Sequence, residues 1–356
     1  MRACPPAAGA DRTRTFCRLL ESRAVIGPEE INNYMPAALF EIKELSKKYT
    51  IAGTAWKDKK RVITAVDNVD LRIHKGETLG LVGESGCGKS TLARMMTLLE
   101  KPSAGCIYFQ GENIFHYSGD ALKKYRRSVQ LVFQDPYSSL NARKSALSII
   151  SEPLIIHKTG DKESRHKTVL DLMEKVGLNE QQAGRYPHEF SGGQRQRIGI
   201  ARALVLRPEM IVADEPVSAL DVSIQAQILN LLKDLKKDFG LTYLFISHDL
   251  NVIRHMSDRV AVMYLGRVVE LASSRDIYLR PSHPYTRLLL AAAPSSFVAG
   301  KSGMAQVKGE ADAAGDRGCN FHSRCLYKKE ICLEDIPVLK EIDRGIFCAC
   351  HFAGEI

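Results

Sequence analysis

The stretch Gly83-Glu84-Ser85-Gly86-Cys87-Gly88-Lys89-Ser90 decides the fold class of this 356-residue chain. It has the pattern G-x-x-x-x-G-K-[ST], a loop whose glycines let backbone N–H groups cradle phosphates at the start of a helix. The apolar segment "TLGLVG" precedes it and the helical segment "KSTLARMMTLLE" follows it. The stretch predicts a nucleoside triphosphate site, with Lys89 reaching the β- and γ-phosphates and Ser90 ligating Mg²⁺.

Polar residues that suit phosphate chemistry follow three apolar segments. Asp214 and Glu215 follow "IVA", His248 follows "LFIS", and Gln134 follows "LVF". At strand ends beside the phosphate loop, Asp214 is expected to hold Mg²⁺ and Glu215 to act as general base on the attacking water. We expect His248 to contact the γ-phosphate and Gln134 to ligate Mg²⁺ or a water. A solvated acidic pair or an ordinary polar histidine is the structural alternative.

A second loop, Ser191-Gly192-Gly193-Gln194, begins the Arg-containing segment "RQRIGIARALVL". Its N–H groups and the helix dipole offer another anion site. One chain cannot easily place two such sites on one phosphate chain. The two loops together therefore predict a dimer that closes on the nucleotide.

Composition and charge narrow the class of protein. The chain is 45% hydrophobic and 26% charged, as in a globular protein. The net charge of +9 is scattered in pieces such as "KDKKR" and "KKYRR", without the basic aromatic stripe that nucleic-acid binding favours. No apolar run approaches membrane-spanning length, and no N-terminal segment resembles a secretory signal. Cys87 within the phosphate loop suits a reducing compartment. These features predict a cytosolic protein that does not bind nucleic acid.

Strands alternate with helices through the middle of the chain, which predicts an α/β fold around a mainly parallel sheet. Residues 1–35 lack hydrophobic periodicity and are predicted to be a disordered leader. Residues 36–275 form the predicted nucleotide-binding domain, with a helical subdomain at about 137–190. The predicted C-terminal extension covers residues 276–356, including a Gly/Ala-rich linker at 299–317.

The order of these motifs across about residues 39–275 resembles the nucleotide-binding domain of ABC transporters. The resemblance implies a P-loop ABC ATPase core with an antiparallel β subdomain and a helical subdomain. It implies that Tyr49 stacks on adenine, that Gln134 senses the transmembrane partner, and that residues 218–221 cross the dimer seam. Phe190 departs from the family, which commonly has Leu there. The residues implied to bind ATP and Mg²⁺ or to hydrolyse ATP are Tyr49, Gly83, Glu84, Ser85, Gly86, Cys87, Gly88, Lys89, Ser90, Thr91, Gln134, Ser191, Gly192, Gly193, Gln194, Asp214, Glu215 and His248.

Further stretches, "DPYSSLNAR" after Gln134 and "YLRPSHPYTRLLLAAAP" at 278–294, resemble the F-type ATPase subunits of oligopeptide and dipeptide importers. This resemblance implies a related second ATPase, two membrane permease subunits and an extracellular or periplasmic peptide-binding protein as partners. It places the chain at the cytoplasmic face of the membrane. Ala142 stands where that family usually has Pro. A nickel or glutathione importer, an exporter, and a soluble ABC ATPase acting on nucleic acid or the ribosome remain as alternatives.

The C-terminal tail contains Cys319, Cys325, Cys332 and Cys350, with Cys348 beside the last. The spacing C-x₅-C-x₆-C-x₁₇-C does not fit the C-x₂-C pairs typical of structural zinc. Four thiolates could hold an iron–sulfur cluster, and the tail resembles extensions of peptide-importer ATPases, some of which carry a [4Fe–4S] cluster. Zinc or simple buried thiols are the alternatives.

Overall fold

The computed structural model describes residues 38–51, 61–292 and 317–355. The predicted leader at 1–35 and most of the predicted linker lie outside the described residues. From Ala38 onward the chain forms one compact unit, in which the described part of the C-terminal extension is included.

Two sheets organise the described residues. The larger has eight strands in the order β11-β12-β10-β9-β3-β8-β7-β6, and the smaller has four in the order β2-β1-β4-β5. The strands are β1 (Ala38–Ile51), β2 (Arg61–His74), β3 (Thr78–Val82), β4 (Ala104–Phe109), β5 (Glu112–Asn113), β6 (Val129–Val132), β7 (Met210–Asp214), β8 (Thr242–Ser247), β9 (Arg259–Tyr264), β10 (Arg267–Ser273), β11 (Lys340–Asp343) and β12 (Ile346–Cys348).

The centre of the large sheet is parallel, as the alternation of strands and helices predicts. Strands β9, β3, β8, β7 and β6 pair in parallel, whereas β10, β12 and β11 continue the sheet antiparallel. Strands β3, β7 and β8 are almost wholly buried, which explains their continuous apolar sequences. The carboxyl ends of these parallel strands share one edge, where ligands of open α/β sheets bind.

The small sheet is antiparallel throughout, in agreement with the fold implied by the family resemblance. Its inner face packs aromatic rings together: the centroids of Phe40 and Phe109 are 5.0 Å apart, and those of Phe109 and Tyr125 are 5.3 Å apart. Strands β4 and β5 are not evident from the sequence. Each has too few apolar residues to show the alternation of a strand.

The helices lie between the strands. They are α1 (Lys89–Met96), α2 (Gly119–Ser128), α3 (Pro136–Ser139), α4 (Ala146–Ile156), α5 (Lys162–Lys175), α6 (Gly192–Leu204), α7 (Val222–Phe239), α8 (Leu250–Met256), α9 (Ser274–Leu279), α10 (Pro284–Ala292) and α11 (Ile331–Glu334). Helices α3, α4 and α5 with two 3₁₀ turns fill the segment between β6 and α6, where the helical subdomain is predicted. No helix of the described residues is long and apolar enough to span a bilayer.

The end of α1 corrects a sequence expectation. The helical segment "KSTLARMMTLLE" indicated by the sequence runs to Glu100, but α1 ends at Met96, ahead of Pro102. The Thr97 hydroxyl donates to the Ala93 carbonyl at 2.9 Å, and Leu98 adopts a left-handed backbone with φ of 56°. A left-handed residue cannot continue a right-handed helix, so the chain turns before the proline is reached.

Candidate nucleotide site

The phosphate loop joins β3 to α1 and depends on close backbone packing. Gly88 precedes the helix with φ of 108°, and a Cβ there would lie 2.0 Å from the Ala65 carbonyl oxygen. A Cβ at Gly83 would lie 2.1 Å from the Met263 carbonyl oxygen. The loop is therefore clamped against the chain at both ends, and these two positions require glycine.

Lys89 is almost fully buried, with 4% of its surface exposed. Its ammonium group donates to the carbonyl oxygens of Gly83 at 2.8 Å and Glu84 at 2.9 Å. Both acceptors belong to the same loop, so the positive charge is held against the loop's own backbone. A phosphate oxygen could replace either weak carbonyl contact, because an ammonium group binds an anion more strongly than a neutral carbonyl.

The structure brings together Ser90 and Asp214, two of the predicted Mg²⁺ ligands. The Ser90 hydroxyl donates to Asp214 Oδ1 at 3.0 Å across 124 positions of sequence. Burial raises the pKa of Asp214, and the hydrogen bond from Ser90 opposes that rise. The pair fits Mg²⁺, which commonly takes one or two protein oxygens and completes its shell with waters and phosphates.

Glu215, Gln134 and His248 also meet. Gln134 Nε2 donates to Glu215 Oε2 at 3.0 Å, and His248 Nδ1 lies 3.1 Å from the same oxygen. Each residue follows a different parallel strand, so the shared edge of β6, β7 and β8 explains their meeting. Glu215 is 13% exposed in its side chain, and its φ of 46° turns it away from the strand direction. This is a carboxylate with fixed orientation and a route to solvent.

The second predicted anion loop, residues 191–194, caps the start of α6. The Ser191 hydroxyl accepts from the Gln194 N–H, and Gln194 Oε1 accepts from the Ser191 N–H, so two of the four amides in this loop are already used. A Cβ at Gly193 would lie 2.5 Å from Ile224 Cγ2, so the loop abuts the start of α7. Any anion bound here would depend mainly on the amides of Gly192 and Gly193.

The predicted seam loop, residues 218–221, lies between Glu215 and α7. The Ser218 hydroxyl donates to the Glu215 carbonyl at 3.1 Å, and Gln225 Nε2 donates to the carbonyls of Val217 and Leu220. These bonds tie the loop to the residue expected to act as base.

Tyr49, predicted to stack on adenine, lies on β1. Its hydroxyl donates to Glu100, and the Lys47 ammonium group lies 5.1 Å from the centre of its ring. A side-chain hydrogen bond with Thr91 places the tyrosine beside the start of α1. The ring is therefore near the phosphate loop, and its role as an adenine platform stays a prediction.

The "HPYT" stretch begins α10 and packs beneath the phosphate loop. Buried Glu270 on β10 accepts the N–H groups of Ser282 at 2.7 Å and His283 at 2.9 Å. The Tyr285 N–H donates to His283 Nδ1 at 3.0 Å, and the Tyr285 hydroxyl accepts the Glu84 N–H at 2.9 Å. Burial lowers the pKa of His283 to about 3, so its ring is neutral. The motif thereby connects the extension to the phosphate loop.

The tail cysteines expected to form a cluster site gather around one cavity. Cys319, Cys325, Cys332 and Cys350 line it together with His322 and other residues. Burial raises the pKa of Cys319 to about 11, so this thiol is protonated at neutral pH. Among the described residues no group of three or more His, Cys, Asp or Glu side chains is arranged to hold a metal ion. The iron–sulfur expectation therefore has no support beyond this grouping.

One contact of the phosphate loop was missed by sequence reasoning. Arg324 of the tail forms two hydrogen bonds with Glu84, each 2.9 Å long. The residues are 240 positions apart, and no local pattern marks either as half of a pair. The sequence signal available was only that Arg324 precedes Cys325 in a tail rich in cysteine.

The fold and this edge of the sheet define an ATP-binding cassette. The family model "ABC transporter" matches residues 66–218, and the model "Oligopeptide/dipeptide transporter, C-terminal region" matches residues 269–332. The second match covers the "HPYT" stretch and three of the tail cysteines.

Curated relatives match most of the chain. The oligopeptide transport ATP-binding protein AppF of Bacillus subtilis is 51% identical over 318 residues, which are 88% of this chain and 97% of that protein. The dipeptide transport ATP-binding protein DppF of Escherichia coli is 45% identical over 88% of this chain and 93% of its own length. The chain belongs to the ABC transporter ATP-binding proteins, in the oligopeptide/dipeptide transporter family. It is an ATPase subunit of a transporter.

A solved structure supports the fold. The ATP-binding cassette MJ0796, in a dimeric post-hydrolysis state bound to ADP and Pi, matches with a TM-score of 0.59 and 34% identity. The match covers 66% of this chain and 99% of that cassette, so the remainder of this chain lies beyond the shared ATPase core.

Proposed function

We propose that this chain hydrolyses ATP to power the import of oligopeptides or dipeptides, as a peripheral subunit at the cytoplasmic face of a membrane. The observation that carries the ATPase part is the meeting of Glu215, Gln134 and His248 at the sheet edge that also presents the phosphate loop. The peptide part is supported by the match of residues 269–332 and by the names of the relatives.

The phosphate loop would bind the ATP phosphates through its N–H groups, with Lys89 neutralising charge on the β- and γ-phosphates. Mg²⁺, when bound with ATP, would offset charge on the transferred phosphoryl group, and Ser90, Asp214 and Gln134 are the residues that would hold it. Asp214 must be ionised to do so. The nearby Mg²⁺ and Lys89 would favour that form against the effect of burial.

Glu215 would orient the attacking water and accept its proton as the water oxygen bonds to the γ-phosphorus. The bond from that phosphorus to the bridging oxygen breaks, and ADP leaves with the electron pair. Gln134 and His248 both contact Oε2 of Glu215, so they would fix the orientation of the carboxylate toward the attacking water. His248 would also donate a hydrogen bond to the γ-phosphate.

Two composite sites in a dimer would complete this chemistry. Residues 191–194 of one subunit would meet the γ-phosphate bound by the other, as the dimeric state of the MJ0796 cassette supports. We infer that the second ATPase is a related chain, and that two permease subunits and a peptide-binding protein complete the importer. Exposed Phe133, Tyr137 and Ile156 lie in and near the helical segment and offer apolar surface to a permease.

Peptide uptake by the assembled transporter tests the proposal. Membrane vesicles that contain the complete importer should take up a labelled dipeptide or oligopeptide only with ATP, and a Glu215→Gln subunit should abolish that uptake. If the vesicles accumulated nickel or glutathione and no other peptide, that compound would be the cargo and the proposed cargo would be wrong. ATP hydrolysis without any dependence on membrane subunits would favour a soluble ABC ATPase.

The cysteine cavity carries a separate proposal, that Cys319, Cys325, Cys332 and Cys350 hold a [4Fe–4S] cluster. The support is that four thiols line one cavity, which is the number such a cluster needs. Cluster binding would release protons, since burial raises the pKa of the Cys319, Cys325 and Cys350 thiols. Iron and acid-labile sulfide would be measured on anaerobically purified protein, and colourless protein free of both would end the proposal.

A further inference from the structure

Arg324 and Glu84 form a two-pronged ion pair between the tail and the phosphate loop. Arg324 Nη1 donates to Glu84 Oε2 and Nη2 donates to Oε1, both at 2.9 Å. The side chain of Arg324 is 10% exposed and that of Glu84 is 34% exposed. Paired contacts of this geometry are stronger and more directional than a single surface ion pair.

Two aromatic rings contact the guanidinium group of Arg324 and restrict its position beside Glu84. Its carbon atom lies 5.9 Å from the ring centres of both Tyr264 and Phe321. Those rings pack edge to face at 5.4 Å, and Phe321 also contacts Tyr285 at 5.6 Å. An aromatic cluster of the core and the extension thus fixes the arginine side chain.

The polar groups of Glu84 are bound partly by the extension and partly by the phosphate loop itself. The carboxylate is bound by Arg324, and the N–H is bound by the Tyr285 hydroxyl at 2.9 Å. The carbonyl accepts from Lys89 at 2.9 Å. The N–H of Glu84 therefore has a partner in the extension, and the predicted contact of Glu84 with ATP stays a prediction.

A carboxylate beside bound ATP repels the phosphates, and at a few ångströms that repulsion weakens binding unless a cation offsets it. We propose that Arg324 is a positioning residue for ATP binding: it pairs with the Glu84 carboxylate and neutralises a charge that would otherwise repel the phosphates. This inference rests on the proposed assignment of residues 83–91 as the phosphate site. It makes the C-terminal extension a part of the nucleotide site.

The test compares Arg324→Gln, Glu84→Gln and the double variant in the full-length protein. Binding of a fluorescent ATP analogue and the KM and kcat for ATP would be measured for each. Arg324→Gln leaves an unpaired carboxylate by the phosphates and should weaken ATP binding about tenfold. Glu84→Gln should bind ATP at least as well as wild type. The double variant should recover most of the affinity lost in Arg324→Gln, because the repelling charge is gone.

Three controls separate this effect from misfolding and from a wrong site. Arg344→Gln removes an exposed arginine of the same tail and should bind ATP as wild type does. Arg324→Lys keeps the charge but loses the fork, and should fall between wild type and Arg324→Gln. Lys89→Ala should lose most nucleotide binding if residues 83–91 are the phosphate site.

The outcomes are distinguishable. A loss in Arg324→Gln that the double variant reverses supports the proposal. Wild-type affinity in Arg324→Gln overturns it, and so does an equal loss in the double variant, since Arg324 would then act on the fold and not on the charge of Glu84. Wild-type binding by Lys89→Ala would overturn the assignment of the phosphate site itself.

Discussion

Gln134 and Glu215 are joined by a hydrogen bond of 3.0 Å although 81 positions of sequence separate them. Gln134 follows β6, immediately before the helical segment that begins at α3, whereas Glu215 follows β7. A displacement of the segment around Gln134 would therefore reach the proposed base through a single bond. This is a direct physical route by which contact with a membrane partner could turn hydrolysis on or off.

Replacement of the proposed base gives the first prediction. Glu215→Gln should lower kcat for ATP hydrolysis by about 100-fold or more, because the amide cannot take the proton of the attacking water. ATP binding should be retained. Phosphate release and ATP affinity would be measured beside Glu209→Gln, which changes a carboxylate near the opposite end of β7. A wild-type kcat for Glu215→Gln would show that another residue is the base.

The contact between His248 and Glu215 gives the second prediction. His248→Ala removes one of the two bonds to Glu215 Oε2, so kcat should fall by roughly tenfold to 100-fold while ATP affinity changes little. The side chain is more than half exposed, so folding stability should be nearly unaffected. A large loss of ATP affinity with unchanged kcat would contradict the role assigned to this histidine.

Glycine packing in the phosphate loop gives the third prediction. Gly88→Ala places a Cβ 2.0 Å from the Ala65 carbonyl oxygen on a backbone with φ of 108°, so it should lower the free energy of unfolding by about 3 kcal/mol or more. Gly86→Ala is the matched control. Its φ is 81° but nothing lies within 4 Å of the new atom, so it should cost only about 1 kcal/mol. Equal urea midpoints for the two variants would contradict this account.

Buried His283 gives the fourth prediction, on pH. Its pKa is about 3 when folded, against an ordinary value of 6.5, so between these values the unfolded chain binds a proton that the folded chain does not. Stability therefore falls as pH drops below 6.5, by roughly 1.4 kcal/mol for each unit well below it. Urea unfolding of wild type and His283→Asn at pH 7 and pH 5 would be compared. An equal pH dependence in both proteins would refute the assignment.

Much of the architecture could be predicted because it is local. The hairpin of β9 and β10 turns about Gly266 and α7 ends at Gly240, and each feature depends on a glycine at the end of a clear apolar run. The meeting of Glu215 with Gln134 and His248 also follows from one rule, that parallel strands end at a common edge. The catalytic roles of these residues stay predictions.

The remaining features depend on contacts between distant parts of the chain. Arg324 and Glu84 are 240 positions apart, and no sequence pattern around either residue indicates the other as its partner. The pairing of β12 with β10 involves a three-residue strand, too short to display an alternation. Both features arise from the way the tail folds back onto the core, which periodicity cannot reveal.

The pairing of β12 with β10 has a practical consequence. Glu270 and Leu271 of β10 lie opposite Cys348 and Phe347, so the tail supplies the outer border of the ATPase sheet. A chain truncated before residue 317 would leave β10 with a bare row of N–H and C=O groups, ready to pair with other molecules. Shortened versions of this protein would then tend to self-associate, because the strand that covers this edge would be missing.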